Sequence, residues 1–258
     1  MLPEIDWTRP WYDAVRPAFE RLDFGGGMIA AFDAGAASLD LRNAAGLPLR
    51  FVHQEALPEG RAYEEFIDAT GCVPTRDNIH DFFNALVWLT FPRIKQQLNA
   101  LQAAQIALAG VGKSRGPARD GATIFDENSA LLVVPDSDEG RGLAEALRGH
   151  RWREAFSGFG QHARVWLFGH ALMEKLVAPR KPITAHTRVV RADAAYFDLT
   201  PGQQRAWIDA HVAGELAAEG LSTACFSPLP ILGVPGWWPG QDEEFYADTS
   251  VFRPKRTT

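Results

Sequence analysis

The chain has 258 residues, of which 46% are hydrophobic and 22% are charged, with a net charge of -6. These values are ordinary for a globular protein that can bury a sizeable core, and they argue against an intrinsically disordered chain. The acidic balance disfavours duplex DNA and anionic membranes as partners, since nucleic-acid-binding domains usually carry a clustered basic face.

The first third of the chain is predicted to contain a helix and a hairpin. Trp11, Val15 and Phe19 recur at helical spacing, which predicts an amphipathic helix over residues 10–23. Alternating residues from Ser38 and a turn near Gly46 predict a β-hairpin over residues 38–54.

The middle of the chain is predicted to hold two helices, a loop and a hairpin. Residues 78–91 read as a helix that Asn78 or Asp77 caps and that ends before Pro92, where a second helix begins. Residues 110–121 are predicted to be a glycine-rich loop. Residues 122–134 are predicted to be strand, tight turn and strand, with Asp126 and Glu127 at the tip.

The last third is predicted to hold a helix over 161–177, a strand over 184–190, and a helix that Thr200 caps. Residues 222–258 are rich in proline and glycine, which predicts an extended tail on the surface. The sequence therefore predicts an α+β fold: one helix-dominated domain over residues 1–258, with one or two short β-hairpins.

Two cysteines, Cys72 and Cys225, are too few for a four-cysteine metal site. The N-terminal residues lack a signal peptide's basic and apolar regions, and no apolar run approaches the roughly 20 residues of a membrane span. We therefore expect a cytoplasmic protein with free thiols and no membrane contact. These features leave the oligomeric state open.

Six sequence blocks combine polar and aromatic residues in distinctive patterns. They are NIHDFFNALVWLTFP (78–92), RDGATIFDEN (119–128), FGHALMEKL (168–176), ITAH (183–186), PLPILGVPGW (228–237) and VFRP (251–254). Together they resemble a bacterial family catalogued only as a domain of unknown function, from about residue 10 to residue 256. The resemblance implies one domain and carries no information about activity.

The first candidate site lies in the helix over residues 78–91. His80 and Asn84 are four residues apart and share a helical face, and Asp81 lies about 100° away. An adjacent His-Asp pair is the metal-binding signature of one helical phosphohydrolase superfamily, and the spacing of Asn84 and Trp88 resembles a motif of His-Asn nucleases. A simpler explanation is that His80 and Asp81 cap the helix.

A second candidate group surrounds His170. His170 and Glu174 are four residues apart in an apolar segment, as metal ligands or a His-carboxylate pair would be. His186, on the predicted strand, would join them if that strand face meets the helix. Alternatively, Glu174 lies on the solvent face and pairs with a nearby cation. Gly169, just before His170, predicts that this helix packs closely against another segment.

A third group follows the glycine-rich loop. Asp126 and Glu127 form a candidate carboxylate dyad, although acidic residues are also common at solvated turns. Lys113, Arg115 and Arg119 make the loop before them basic, so it could bind the anionic part of a substrate. The loop lacks the glycine spacing of a nucleotide-binding P-loop.

Two functions fit these patterns. The first is a metal-assisted hydrolase of a small anionic, phosphate-containing or similar substrate. Its catalytic residues would be His80, Asp81, Asn84, Asp126 and Glu127; its substrate would bind Arg115 and Arg119; and its divalent metal would bind His80, Asp81, His170, Glu174 and His186. The second is a non-enzymatic binding or scaffolding protein, in which these groups form a buried network and Trp237 and Trp238 face a partner. Convergence of at least two of the three histidines would favour the hydrolase.

Overall fold

The computed structural model describes residues 4–109, 117–160 and 163–255. The chain folds into an α+β structure in which helices outnumber strands, as predicted. The helices are α1 (Arg16–Phe19), α2 (Met28–Ser38), α3 (Tyr63–Thr70), α4 (Ile79–Thr90), α5 (Pro92–Ala109), α6 (Pro117–Asn128), α7 (Asp138–Arg148), α8 (Trp152–Ser157), α9 (His170–Lys175), α10 (Ala194–Phe197), α11 (Pro201–Glu219) and α12 (Glu243–Ala247).

Six strands form two sheets in the described ranges. They are β1 (Arg50–His53), β2 (Cys72–Thr75), β3 (Ser129–Pro135), β4 (Arg164–Leu167), β5 (Thr184–Ala192) and β6 (Phe226–Pro230). The larger sheet has the order β4-β3-β5-β6, with β3 and β5 parallel and both outer strands antiparallel. β3 is buried along nearly its whole length, as expected for a central strand covered on both faces. The smaller sheet is the parallel pair β1-β2.

Buried hydrophobic side chains from both sheets and the long helices form one continuous core. The start of α5 is fixed by α11, because the carboxylate of Asp209 accepts hydrogen bonds from the backbone N–H groups of Arg93 and Ile94, at 3.1 and 2.9 Å. These donors have no partner inside their own helix. None of the helices in the described ranges is long and apolar enough to cross a lipid bilayer.

Two predictions for the N-terminal region are wrong. The helix over 10–23 is split into a 3₁₀ turn at Pro10–Tyr12 and the short α1, because Pro17 lacks the N–H that a continuous helix needs. The hairpin over 38–54 does not form. α2 continues to Ser38, and β1 pairs with β2 instead of with the preceding segment, which makes only one bridge, Arg42 to Pro48.

The predicted hairpin over 122–134 is also wrong in its first half. Residues 122–128 belong to α6, and only β3 is a strand. Buried Ala122, Phe125, Asp126 and Ser129 follow a helical period that the β-prone Thr-Ile-Phe run obscures. Arg119 consequently lies on α6 and not in a loop, whereas Lys113 and Arg115 lie outside the described residues.

Four predictions concern the C-terminal half. The helix over 161–177 is replaced by β4 and the short α9. The strand near 184–190 and the Thr200 cap are confirmed, the latter as a capping box with Gln203. The segment from residue 222 is described to residue 255 and is not simply a surface tail, because it supplies the edge strand β6 and buried residues such as Leu229 and Phe252. Trp237 and Trp238 are half-buried and pack against the core.

Candidate metal centre

Three segments far apart in sequence converge at one place. They are the start of α4, the last turn of α6 and the start of α9, which packs against both other helices. They bring together His80, Glu127 and His170, here called the triad. One ligand atom from each lies within 4.8 Å of the others, and no other group of this kind occurs in the described ranges.

The triad has distances close to those of a coordination site. Nε2 of His80 and Nε2 of His170 are 3.1 Å apart. Oε2 of Glu127 lies 3.6 Å from Nε2 of His170 and 4.0 Å from Nε2 of His80. Two imidazole nitrogens bound to one cation at about 2.1 Å would be separated by roughly 3.0–3.4 Å. The nitrogens are therefore already placed for a shared cation, and only the carboxylate needs to move slightly inward.

Glu174 orients His80. Its Oε2 lies 2.9 Å from Nδ1 of His80, so the carboxylate accepts a hydrogen bond when Nδ1 carries the proton. That arrangement leaves Nε2 of His80 with a free lone pair directed at His170. A carboxylate that fixes the tautomer in this way is the usual outer neighbour of a metal-binding histidine.

His170 is buried and held neutral. Burial lowers its pKa to about 4, although nearby Asp126 opposes the shift. Its Nδ1 is buried without a hydrogen-bond partner among the described residues, and Oδ1 of Asp126 is 3.9 Å away. A neutral imidazole is the form that binds metals, so the environment of His170 favours the ligand state.

A buried ion pair supports the triad from one side. Nζ of Lys95 donates to Oδ1 of Asp126 at 2.6 Å and to Oδ1 of Asn84 at 2.9 Å. The amide of Asn84 in turn donates to the hydroxyl of Tyr63 at 3.2 Å. Burial alone would raise the pKa of Asp126, but the charge of Lys95 holds it below its usual value. Asp126 is thus an ionised residue that Lys95 neutralises.

A cavity of about 410 Å³ opens beside the triad, between α3, α5 and α6. It is lined by Ala62, Tyr63, Glu64, Gln102, Ile106, Arg119, Thr123, Asp126 and Glu127. Burial raises the pKa of Glu64 to about 7, and Asn99 donates to its Oε2 at 2.6 Å. A carboxyl group with such a pKa is suited to act as a general acid or base near neutral pH.

Gly169 explains why α9 can approach α6 so closely. A Cβ atom at this position would lie 2.3 Å from the backbone N of Ser129 and 2.6 Å from that of Asn128. Its own N–H donates to the carbonyl of Ser129 at 2.9 Å. The close packing predicted from this glycine is confirmed, and it holds His170 next to Glu127.

The structure brings some of the predicted site residues together and separates others. Asn84 contacts Lys95 and Arg119 lines the cavity, whereas Arg115 lies outside the described residues. His80, His170 and Glu127 converge, with Glu174 and Asp126 around them. Asp81 faces away and accepts from the backbone and guanidinium of Arg76, while its own N–H donates to the capping Asn78, which supports the structural interpretation of this residue. His186 is exposed and lies outside the triad. Its Nδ1 is 3.2 Å from Nδ2 of Asn128.

Sequence reasoning missed part of the site. The sequence does not distinguish Lys95, Tyr63 and Glu64 as site residues, because each lies among other polar residues in an ordinary amphipathic helix. The predicted turn also hid the helical face that Arg119 shares with Glu127. A signal was present for Lys95: it lies one turn into α5, on the face that Ile94 and Leu98 bury.

Fold and site together define an α+β protein with a candidate two-histidine, one-carboxylate metal centre. The chain belongs to the family described as protein of unknown function (DUF3025), whose model matches residues 49–256 and includes the whole triad. The expected membership of an uncharacterised family is confirmed. No curated protein and no solved structure matches the chain.

Proposed function

We propose that this protein is a metal-dependent hydrolase of a small molecule and that His80, His170 and Glu127 bind its divalent cation. The observation that carries the proposal is the pair of Nε2 atoms at 3.1 Å, facing each other beside a carboxylate. Two histidines and one acidic residue leave coordination positions open for water or substrate, as catalytic zinc sites require.

The tautomers of the two histidines support a cation between them. If Nε2 of His170 carries the proton, it donates to His80, but its buried Nδ1 then lacks a donor. If Nδ1 carries the proton, two lone pairs face each other at 3.1 Å. Each arrangement has a cost, because an unpaired buried polar atom typically loses about 1–3 kcal/mol. A cation bound between the two Nε2 atoms would accept both lone pairs and so remove the repulsion between them.

The surroundings favour hydrolysis over oxidative chemistry, although the same ligand set also occurs in iron oxygenases. A cation here would polarise the substrate and lower the pKa of a water molecule. Glu64, with its pKa raised to about 7, lines the same cavity and can deliver a proton to the leaving group. The hydroxyl group of the water molecule would then go to one product of the cleaved bond and its proton to the other.

Metal content of the purified, tag-free protein tests the proposal. After loading with Zn²⁺, Mn²⁺ or Fe²⁺ and removal of excess metal, elemental mass spectrometry should find a near-stoichiometric ion. His80→Ala, His170→Ala and Glu127→Gln should each lose it. His186→Ala is the matched control, since His186 lies outside the triad and should leave the content unchanged.

Hydrolysis must depend on the same residues. The loaded protein should cleave members of an ester, amide and phosphoester panel, and chelation or Glu127→Gln should abolish turnover. Wild-type protein that binds none of these ions would contradict the proposal. That result would favour the binding or scaffolding function, in which the Lys95 and Asp126 pair belongs to a purely structural network.

A further inference from the structure

The cavity beside the triad runs along one face of α6. Arg119, Thr123 and Glu127 follow at intervals of four residues, so they share this face. At 1.5 Å per residue, Arg119 and Glu127 are separated by about 12 Å along the helix axis. The cavity therefore has a guanidinium group at one end and a triad carboxylate at the other.

Arg119 differs from Arg188, which is also covered by the fold but has a counter-ion. Arg188 is buried and donates to Glu215 at 2.9 Å. Arg119 is half-buried, yet it makes no ion pair with any residue of the described ranges, and its Nη1 is buried without a hydrogen-bond partner. A covered guanidinium without a counter-ion is costly unless a ligand supplies one.

We propose that this cavity binds a small molecule by both ends: a carboxylate or phosphate group pairs with Arg119 while the reacting group reaches the triad. This inference rests on the proposed metal site. Guanidinium matches carboxylate and phosphate oxygens in a bidentate geometry. A volume of about 410 Å³ suits a small metabolite and not a polymer segment.

The acidic residues of the cavity restrict where the negative charge of a ligand can lie. Glu64 and Asp126 both line the cavity, with Asp126 next to Glu127 on α6, and ionised carboxylates there repel an anionic group. Gln102 and Thr123 supply neutral hydrogen-bonding groups beside them. The substrate is therefore expected to carry its charge at the Arg119 end and to be uncharged along its centre.

Dicarboxylates of increasing length, from succinate to suberate, test the distance between the two ends of the cavity. One carboxylate can bind the metal while the other reaches Arg119. Calorimetry on the metal-loaded protein should show one preferred length that binds at least about tenfold tighter than acetate. Phosphonocarboxylates of the same lengths show whether Arg119 prefers phosphate oxygens to carboxylate oxygens.

Arg119→Gln should remove the length preference and weaken the best ligand by about tenfold or more, with unchanged metal content and thermal unfolding. Arg148→Gln is the matched control, because Arg148 is exposed on α7 and makes no ion pair with a described residue. If metal binds normally but affinity is independent of length, or if Arg119→Gln binds like the wild type, the inference is overturned and the metal site stands.

Absence of metal uptake contradicts the proposed function separately. In that case inorganic phosphate is titrated into the metal-free protein and into Arg119→Gln. Weaker binding by the variant would support the anion site at Arg119, and equal binding would overturn it.

Discussion

At the scale of single residues, the site depends on which nitrogen of His80 carries the proton. The carboxylate of Glu174, whose Oε2 lies 2.9 Å from Nδ1, favours the proton on Nδ1 because it accepts a hydrogen bond from that N–H. Nε2 is thereby directed at His170 as a lone pair. The spacing of Glu174 from His170 predicts a metal ligand, whereas we propose that Glu174 orients His80.

Replacing Glu174 tests this orientation. Glu174→Ala should weaken metal binding by about 10–100-fold, because His80 loses the partner that fixes its tautomer and ring orientation. The measurement is a competition titration against a chelating dye. Glu20→Ala is the control, because it removes an exposed carboxylate distant in sequence and should leave the metal affinity unchanged. Equal affinity in the wild type and Glu174→Ala would refute the orienting role.

The buried His170 gives the metal-free protein a defined pH dependence. Its folded pKa of about 4 lies below the unfolded value of 6.5, so the folded state binds fewer protons between these pH values. The free energy of unfolding should therefore fall as the pH falls from 6.5 towards 4, by up to roughly 3 kcal/mol from this residue.

The contribution of His170 must be isolated by difference. Burial raises the pKa of Glu64 to about 7 and that of Asp209 to about 6, and both shifts act in the opposite direction over the same range. Urea unfolding at several pH values should show a smaller loss on acidification for His170→Gln than for the wild type. Parallel pH profiles would contradict the prediction.

At the scale of secondary-structure elements, the approach of α9 to α6 depends on one glycine. Gly169→Ala should cost about 1–3 kcal/mol, because the new methyl group would overlap the backbone of Asn128 and Ser129. It should also weaken metal binding, since separating the two elements moves His170 from Glu127. Thermal unfolding and metal titration on the same preparation measure both effects.

Gly214→Ala is the matched control for this substitution. Gly214 lies within α11, where an added Cβ has nothing within 4 Å. Helix propensity then predicts a gain of about 0.5–1 kcal/mol and no change in metal binding. If the two variants behave alike, close packing at Gly169 does not hold the site together.

Some elements could be predicted from sequence and others could not, for physical reasons. α4 has a capping Asn78, a long apolar run and a stop at Pro92, so local signals agree. α6 contains β-prone residues, and its helical state depends on burying Phe125 and Asp126 against distant partners. β4 is a strand because it pairs with β3, which no local pattern reveals.

The candidate site shows the same limit. Single residues such as His80 and His170 could be selected, because polar groups in apolar segments are unusual. Their convergence could not, since positions 80, 127 and 170 meet only through tertiary packing. The incorrect prediction of a turn at Asp126 also placed Glu127 and Arg119 in different elements, whereas α6 places them on one face.

At the scale of the whole molecule, a bound cation should stabilise the fold, because it joins three helices. A ligand present at 100 times its Kd and bound only to the folded state adds about 2.7 kcal/mol. The loaded protein should therefore unfold at a higher temperature than the chelator-treated protein. Calorimetry should show this difference for His186→Ala and not for Glu127→Gln; equal Tm values with and without metal would contradict it.

The spacing of the triad along the chain also has a consequence for biosynthesis. A ribosome-bound chain that ends before residue 170 contains only His80 and Glu127 and lacks the third ligand. The complete site forms only after α9 has emerged and docked through Gly169. If the proposed site binds a cation, a newly made chain would acquire it only after folding, and the finished pocket would select which element is bound.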